Sequence, residues 1–342
     1  MLHQNIVEEV AKVATDTNFS GVVLVKDHNE SIAKVTFGYA NRAERISNNI
    51  TTRFGIASGC KLFTAIGICQ LVERGIISFQ SQLSDCLHIE FPTFAGDVTI
   101  HHLLTHSSGI PDYFDEDVMD DYEDLWKERP MYAIRKLQDF LPLFANAPMM
   151  FKPGERFHYN NAGYIILGLI IEEHTGLSFS DYIDKNVFEP SGMAQSGYFS
   201  LDRLPGNTAL GYIDEKDGTW RTNSYAIPVK GGADGGAFVT APEMVKLWEA
   251  LVDRKLLSEE LTDVLLTPHI HEEGNEYYGY GVWIRKKDDD IFKYHVMGYD
   301  PGVSFHSSFY PASGTKSVVA SNKSIGAYKV SQTVEACLFP HK

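Results

Sequence analysis

The stretch "GIASGCKLFTAIG", residues 55–67, sets Ser58 and Lys61 three positions apart at the head of a run that otherwise reads as a buried helix. From Lys61 to Arg74 the apolar residues of "KLFTAIGICQLVER" recur at helical spacing, and Gly75 supplies a C-terminal stop. A helix beginning near Ser58 places positions i and i+3 on one face of its first turn, so the hydroxyl and the ammonium can touch. An ammonium on an apolar helix is costly unless partnered, and desolvation favours its neutral, proton-accepting form. The positive end of the helix dipole favours an alkoxide at Ser58 and any oxyanion beside it. The pair therefore has the makings of an activated nucleophile. The plainer reading has Ser58 capping the helix and Lys61 reaching to solvent.

Outward from that helix, the 342 residues are 44% hydrophobic and 22% charged, which predicts a globular chain of one large domain or two closely joined lobes. A formal net charge of -15, densest at "DYFDEDVMDDYEDLW" (112–126), argues against nucleic acid and against an anionic membrane as partners. An acidic loop over a cleft entrance would also disfavour strongly anionic substrates. Cys60, Cys69, Cys86 and Cys337 form no CxxC pair and read as reduced thiols. The start, "MLHQNIVEEVAKVATDTNFSG", lacks the basic and apolar regions of a signal peptide, and "AGYIILGLIIEE" is too short to span a bilayer. A soluble, cytoplasmic protein is expected.

Along the chain, "SGVVLVKD" (20–27) and "IAKVTFGY" (32–39) predict a hairpin across "HNES". Helical patterns then dominate from about 99 to 265, in "TIHHLLTH", "YAIRKLQDFLPLF", "NAGYIILGLIIEEHTG", "FSDYIDKNVF" and "APEMVKLWEALVDRKLL". After about 276 the period falls to two, predicting strands in "YYGYGVWIRKK", "IFKYHVMG", "VSFHSSFY" and "KSVVASN" before a closing helix in "AYKVSQTVEACLF". The expectation is an α/β fold whose antiparallel sheet is built from both termini, approximately 1–57 and 270–342, with a mainly helical lobe at about 58–269.

Beyond "SGCK", four further segments stand in a fixed order: "TIHHLLTHSSGIPDY" (99–113), "FKPGERFHYNNAGYIILGLIIEEHTG" (151–176), "VFEPSGM" (187–193) and "GGADGGAFVTAPEMVKLWEALVDRKLL" (231–257). Together they resemble the serine β-lactamase and penicillin-binding protein superfamily over most of the chain, particularly the branch of class C β-lactamases, D-alanyl-D-alanine carboxypeptidases and esterases. The resemblance implies that Ser58 is the acylated nucleophile and Lys61 its proton partner. It makes Tyr159 the second acid/base group, and Asn161 the residue holding Lys61 and the substrate amide. A phenol beside an ammonium is expected to ionise more readily, which would let Tyr159 take the proton of Ser58.

The family's third element, K-T-G or H-x-G on a strand, has its best counterpart in "YHVMGYDPGVSF" (294–305), whereas "GTK" at 314–316 has the order reversed. Aligning His295 with the cation puts Met297 where glycine is usual, with Gly298 next. On this reading His295 binds a substrate carboxylate when protonated, Met297 narrows the wall, and the N–H groups of Ser58 and Gly298 form the oxyanion hole. Histidines in "HHLLTH" and "HIHEE" lack the glutamate of H-E-x-x-H, so no metal and no cofactor is expected. The function expected is a serine acyl-enzyme hydrolase acting on a small molecule or short peptide: a D-amino-acid peptide, a β-lactam or a small ester. The alternative is a penicillin-acylated or ligand-binding homologue without efficient turnover.

Overall fold

The computed structural model describes residues 2–27 and 30–340. Its centre is an eight-stranded, fully antiparallel sheet. Two strands come from the N-terminal part, β1 (Gly21–Asp27) and β2 (Glu30–Phe37). Six come from the C-terminal part: β3 (Ile270–Glu273), β4 (Glu276–Tyr278), β5 (Trp283–Lys287), β6 (Asp290–Asp300), β7 (Val303–Tyr310) and β8 (Thr315–Ser321). Their order is β2-β1-β8-β7-β6-β5-β4-β3, so the two ends of the chain meet where β1 pairs with β8. The expected hairpin of β1 and β2 is present, though His28 and Asn29 of its connection lie outside the described residues.

Alternation divides the sheet's residues between two cores. Val22, Leu24, Val318 and Ala320 face the larger one, whereas Val23, Val25 and Val319 face the other. The smaller core is completed by α1 (Leu2–Asp16) and by the C-terminal helix Ala327–Leu338, which contribute Ile6, Val10, Ala14, Val330 and Val334. The α1 stripe at i, i+4, i+8 is a helical signal present in the sequence.

The larger core packs the other sheet face against α2 (Lys61–Glu73), α3 (Asn161–Thr175) and α4 (Ala241–Val252). Trp248 of α4 donates its indole N–H to Ser307 of β7 at 2.8 Å, which satisfies a buried donor within that interface. Every residue of α2 from Lys61 to Leu71 is buried, so this helix has no polar outer face. Ser58 itself lies in the 3-10 turn Ala57–Cys60 just before it.

Two expectations differ from what is observed. "YAIRKLQDFLPLF" forms only 3-10 turns, Met131–Ala133 and Leu137–Leu143, because Pro142 cannot continue an α-helical ladder and Asp139 takes the N–H groups of Arg135 and Lys136. "YYGYGVWIRKK" breaks into β4 and β5 at a four-residue turn, 279–282, closed by Gly279 N–H to Val282 O at 2.8 Å. Among the described residues no helix is long and apolar enough to cross a membrane.

Helix α3 touches the glycine-rich segment 231–237 through Gly168, where a Cβ would lie 2.4 Å from Ala233 Cβ and 2.6 Å from Leu137 Cδ1. Gly168→Val is expected to overpack this contact and lower stability by about 1–3 kcal/mol. An unchanged urea midpoint would contradict the packing.

Candidate active site

The head of α2 is held from two sides. Ile56 donates to Ala237 O at 3.0 Å and Gly236 donates to Ala57 O at 3.3 Å, binding the glycine-rich segment to the turn that carries Ser58. Ala57 has φ of 45°, a left-handed conformation unusual for a residue with a Cβ. From the other side β6 crosses at Gly298, where a Cβ would stand 2.1 Å from Ile56 O and 2.7 Å from Ser58 N. Only glycine permits that approach.

Lys61 is 1% exposed and all three of its N–H donors are used. Its Nζ donates to Ser58 Oγ at 2.9 Å, to Asn161 Oδ1 at 2.8 Å and to Asp234 O at 2.8 Å. It also lies 4.8 Å from the ring centroid of Tyr159. The Tyr159 phenol is within hydrogen-bonding range of Ser58. Ser58, Lys61, Tyr159 and Asn161, selected on sequence, are therefore brought together.

Tyr159 corrects one expectation. Burial raises its phenol well above the ordinary tyrosine range, and the nearby Glu116 carboxylate adds to the effect. The expected downward pull of an ammonium is outweighed, and at neutral pH the phenol carries its proton.

Local chemistry explains why Tyr159 and Asn161 stand here. Asn160 caps α3, its Oδ1 accepting from Gly163 N at 2.7 Å, which starts the helix at Asn161. Asp112 accepts from Asn161 N at 2.7 Å, Asn161 Nδ2 at 3.2 Å and Ala162 N at 2.9 Å, placing a carboxylate at the helix's positive end. Burial nonetheless raises its pKa to about 7. His106 Nδ1 accepts from Asn160 N at 3.0 Å, and its ring lies tilted against Tyr159 with centroids 4.4 Å apart. Burial pushes the His106 pKa well down, so it is a neutral platform for the phenol. Asp112 and His106 were missed as site-building residues. The signal available was their position in "THSSGIPDY", part of one of the segments that carry the resemblance.

His295 is not brought to the cleft. Along β6, Val296, Gly298 and Asp300 face the helices, and alternation turns Lys293 and His295 to the opposite face. There His295, 6% exposed, meets Glu276 at 3.3 Å beside the Lys293–Glu335 ion pair, under the C-terminal helix. Burial lowers its pKa, so it is neutral at pH 7 and cannot anchor a carboxylate from there. The sequence alignment was one residue out of register, and the inward position belongs to Val296. Met297 borders the open cleft.

Gly298 is at the cleft, but not as an oxyanion donor. The two-residue turn Pro301–Gly302 closes β6 on β7 at the pair Asp300↔Val303, a narrow, hydrogen-bonded pair. Alternation from that pair turns the N–H of Gly298 into the sheet, towards Phe305. The N–H of Tyr299 is turned to the edge of β6 that β5, whose pairing ends at His295, leaves open. Tyr299 and Ser58 both border the cleft.

Ser58 lines two adjoining spaces. One is an open cleft bounded by Tyr159, Trp283, Met297 and Gly298, and the other is a more closed pocket of about 100 Å3 reaching between Phe140, Phe199 and Phe238. At the cleft's outer rim His158 lies 3.3 Å from both Asp115 and Asp117, the one group among the described residues whose donor atoms are close enough to hold a cation.

The Beta-lactamase family model matches residues 4–335. The putative penicillin-binding protein PbpX of Bacillus subtilis is 27% identical over 317 residues, 92% of this chain and 73% of that protein. The crystal structure of a penicillin binding protein from Bacillus halodurans superposes with a TM-score of 0.92 at 58% identity, covering 96% of this chain and 99% of the other. That of the octameric penicillin-binding protein homologue from Pyrococcus abyssi gives a TM-score of 0.84 at 27% identity, over 97% and 76%.

Asp112 holds the first turn of α3 and the amide that faces Lys61, so its removal strips acceptors from buried N–H groups. Asp112→Ala is expected to cost about 1–3 kcal/mol of stability. A denaturation curve superimposable on that of the wild type would contradict that role.

Proposed function

The chain belongs to the Beta-lactamase family, and from that premise we propose that it is a serine hydrolase that forms an acyl-enzyme on Ser58 from an amide or ester carbonyl. The observation that carries this reading is the buried Lys61 ammonium bonded at once to Ser58 Oγ, Asn161 Oδ1 and Asp234 O. A lysine needed only for packing would be replaced by an apolar residue at less desolvation cost.

In the proposed reaction Ser58 Oγ bonds to the carbonyl carbon, and its proton passes to the Tyr159–Lys61 pair. The tetrahedral oxyanion is received by the N–H groups of Ser58 and Tyr299. Collapse breaks the bond to the leaving amine or alkoxide, which takes the proton from the pair. Water then attacks the acyl carbon by the same route in reverse, releasing the acid and restoring Ser58. Asn161 keeps Lys61 aimed at Ser58, its own Nδ2 being held by Asp112 and by the main-chain carbonyl of Phe114. Among these residues none requires a metal or cofactor for the steps given. A homologue that only binds or traps its ligand is not favoured, since the full set of proton-transfer groups is assembled beside an open cleft.

Short-chain p-nitrophenyl esters provide the test. Ser58→Ala is expected to remove turnover, while Lys61→Ala and Tyr159→Phe each lower kcat/KM by about 10²–10⁴. Turnover that persists in Ser58→Ala would refute the assignment. Because burial holds the Tyr159 proton tightly, the form of the pair able to accept a proton is scarce at neutral pH. The kcat/KM of the wild type is therefore expected to rise from about pH 6 towards about pH 9. A flat profile across that range contradicts this proton route.

A further inference from the structure

The pocket behind Ser58 has a one-sided charge. Its lining includes the carboxyl groups of Glu116, Asp234 and Asp300 and no arginine, lysine or histidine. Asp234 is 4% exposed; one carboxylate oxygen accepts from Tyr113 OH, and the other, Oδ1, is buried with no hydrogen-bond partner. Lys61 has its three donors committed to Ser58, Asn161 and the main chain of Asp234, so its charge lowers the pKa of each of these carboxyls without forming an ion pair with any of them. Crowding is felt within the group: burial first, then Asp234 and Glu116, raise the Asp300 pKa to about 8. Of the three, Asp234 is buried, Asp300 half-buried and Glu116 exposed; a carboxyl withdrawn from water without an ion-pair partner is costly to keep ionised. Glu116 and Asp300, like Ser58, line both the closed pocket and the open cleft, which places them at the neck between the two. Beyond the neck the wall is apolar, with Phe140, Phe199, Leu201 and Phe238.

Resting on the acyl-enzyme reading above, we infer that the substrates are aminoacyl amides, esters or peptides with a free α-ammonium group, which Glu116 and Asp300 receive at the neck while an apolar side chain enters the closed pocket. An α-ammonium is one carbon from the carbonyl that Ser58 attacks, so it falls at the neck when the carbonyl meets the serine. The same charge distribution repels a substrate carboxylate. It fits the displacement of His295 to the other face of β6, which leaves Val296 at the inward position. The basic side chains of the open cleft, Arg156, His158 and His271, lie outside the closed pocket. A bound ammonium beside Glu116 also opposes the carboxylate charge that helps keep the Tyr159 phenol protonated, so the right substrate favours the proton acceptor it needs.

The test compares phenylalanyl p-nitroanilide, its N-acetyl derivative and Nα-acetyl-lysyl p-nitroanilide, each as both enantiomers, alongside p-nitrophenyl acetate. The free-amine compound is expected to exceed its N-acetyl form in kcat/KM by at least about tenfold. That ratio is expected to fall towards one in Asp300→Asn and, separately, in Glu116→Gln, whose rim position keeps the test available if the strand variant does not fold. An N-acetyl substrate handled equally well, with p-nitrophenyl acetate still acylating Ser58, overturns the ammonium site and leaves the serine hydrolase standing. Selective turnover of the acetyl-lysyl compound makes a side-chain amine the recognised group and overturns the α-amino assignment. No turnover of any compound and no adduct on Ser58 overturns both.

Discussion

The buried ammonium of Lys61 is the constraint around which the site is built. A charge in that position is tolerated only if each N–H finds an acceptor, and the three acceptors come from three separate elements: the turn before α2, the first turn of α3 and the glycine-rich segment 231–237. Satisfying one lysine therefore fixes the relative placement of parts of the chain about 100 and 173 residues apart from it. Ser58 gains its position from the same requirement, because Gly298 and the glycine-rich segment close on the turn from both sides.

Around this cation the carboxylates play different parts. Asp112 is spent on the N–H groups of α3 and orients Asn161. Asp234 contributes its main-chain carbonyl to Lys61, while its side chain bonds Tyr113 and turns an unpartnered oxygen to buried space. Glu116 and Asp300 border both cavities next to the serine. The net charge of -15 thus has a local counterpart at the site, where one lysine is surrounded by acids. In a low-dielectric crevice that imbalance selects among ligands more sharply than surface charge does.

Much of this was legible in the sequence where local rules act. The S-x-x-K spacing, the apolar run of α2, the Tyr-Asn-Asn before α3 and the period-two strands at the chain's end led to Ser58, Lys61, Tyr159, Asn161 and the antiparallel sheet. What depended on register or burial was not legible. His295 and Val296 are neighbours in the sequence, but the pleat sends them to opposite faces, and only the pairing of β6 with β7 decides which is which. The same alternation moves the available N–H from Gly298 to Tyr299. The protonation of Tyr159 follows from the partial burial of its phenol and the charge of Glu116, which together with the packing of His106 bring in residues far from it in the sequence.

Rapid-quench intact-mass analysis with an activated acyl donor, followed by peptide mapping, interrogates the Ser58–Lys61–Tyr159 cluster most directly. The account predicts a transient mass gain equal to the acyl group, located on Ser58 and missing from Ser58→Ala. Product formed with no acylated protein in the pre-steady state, or an adduct on another side chain, would contradict it.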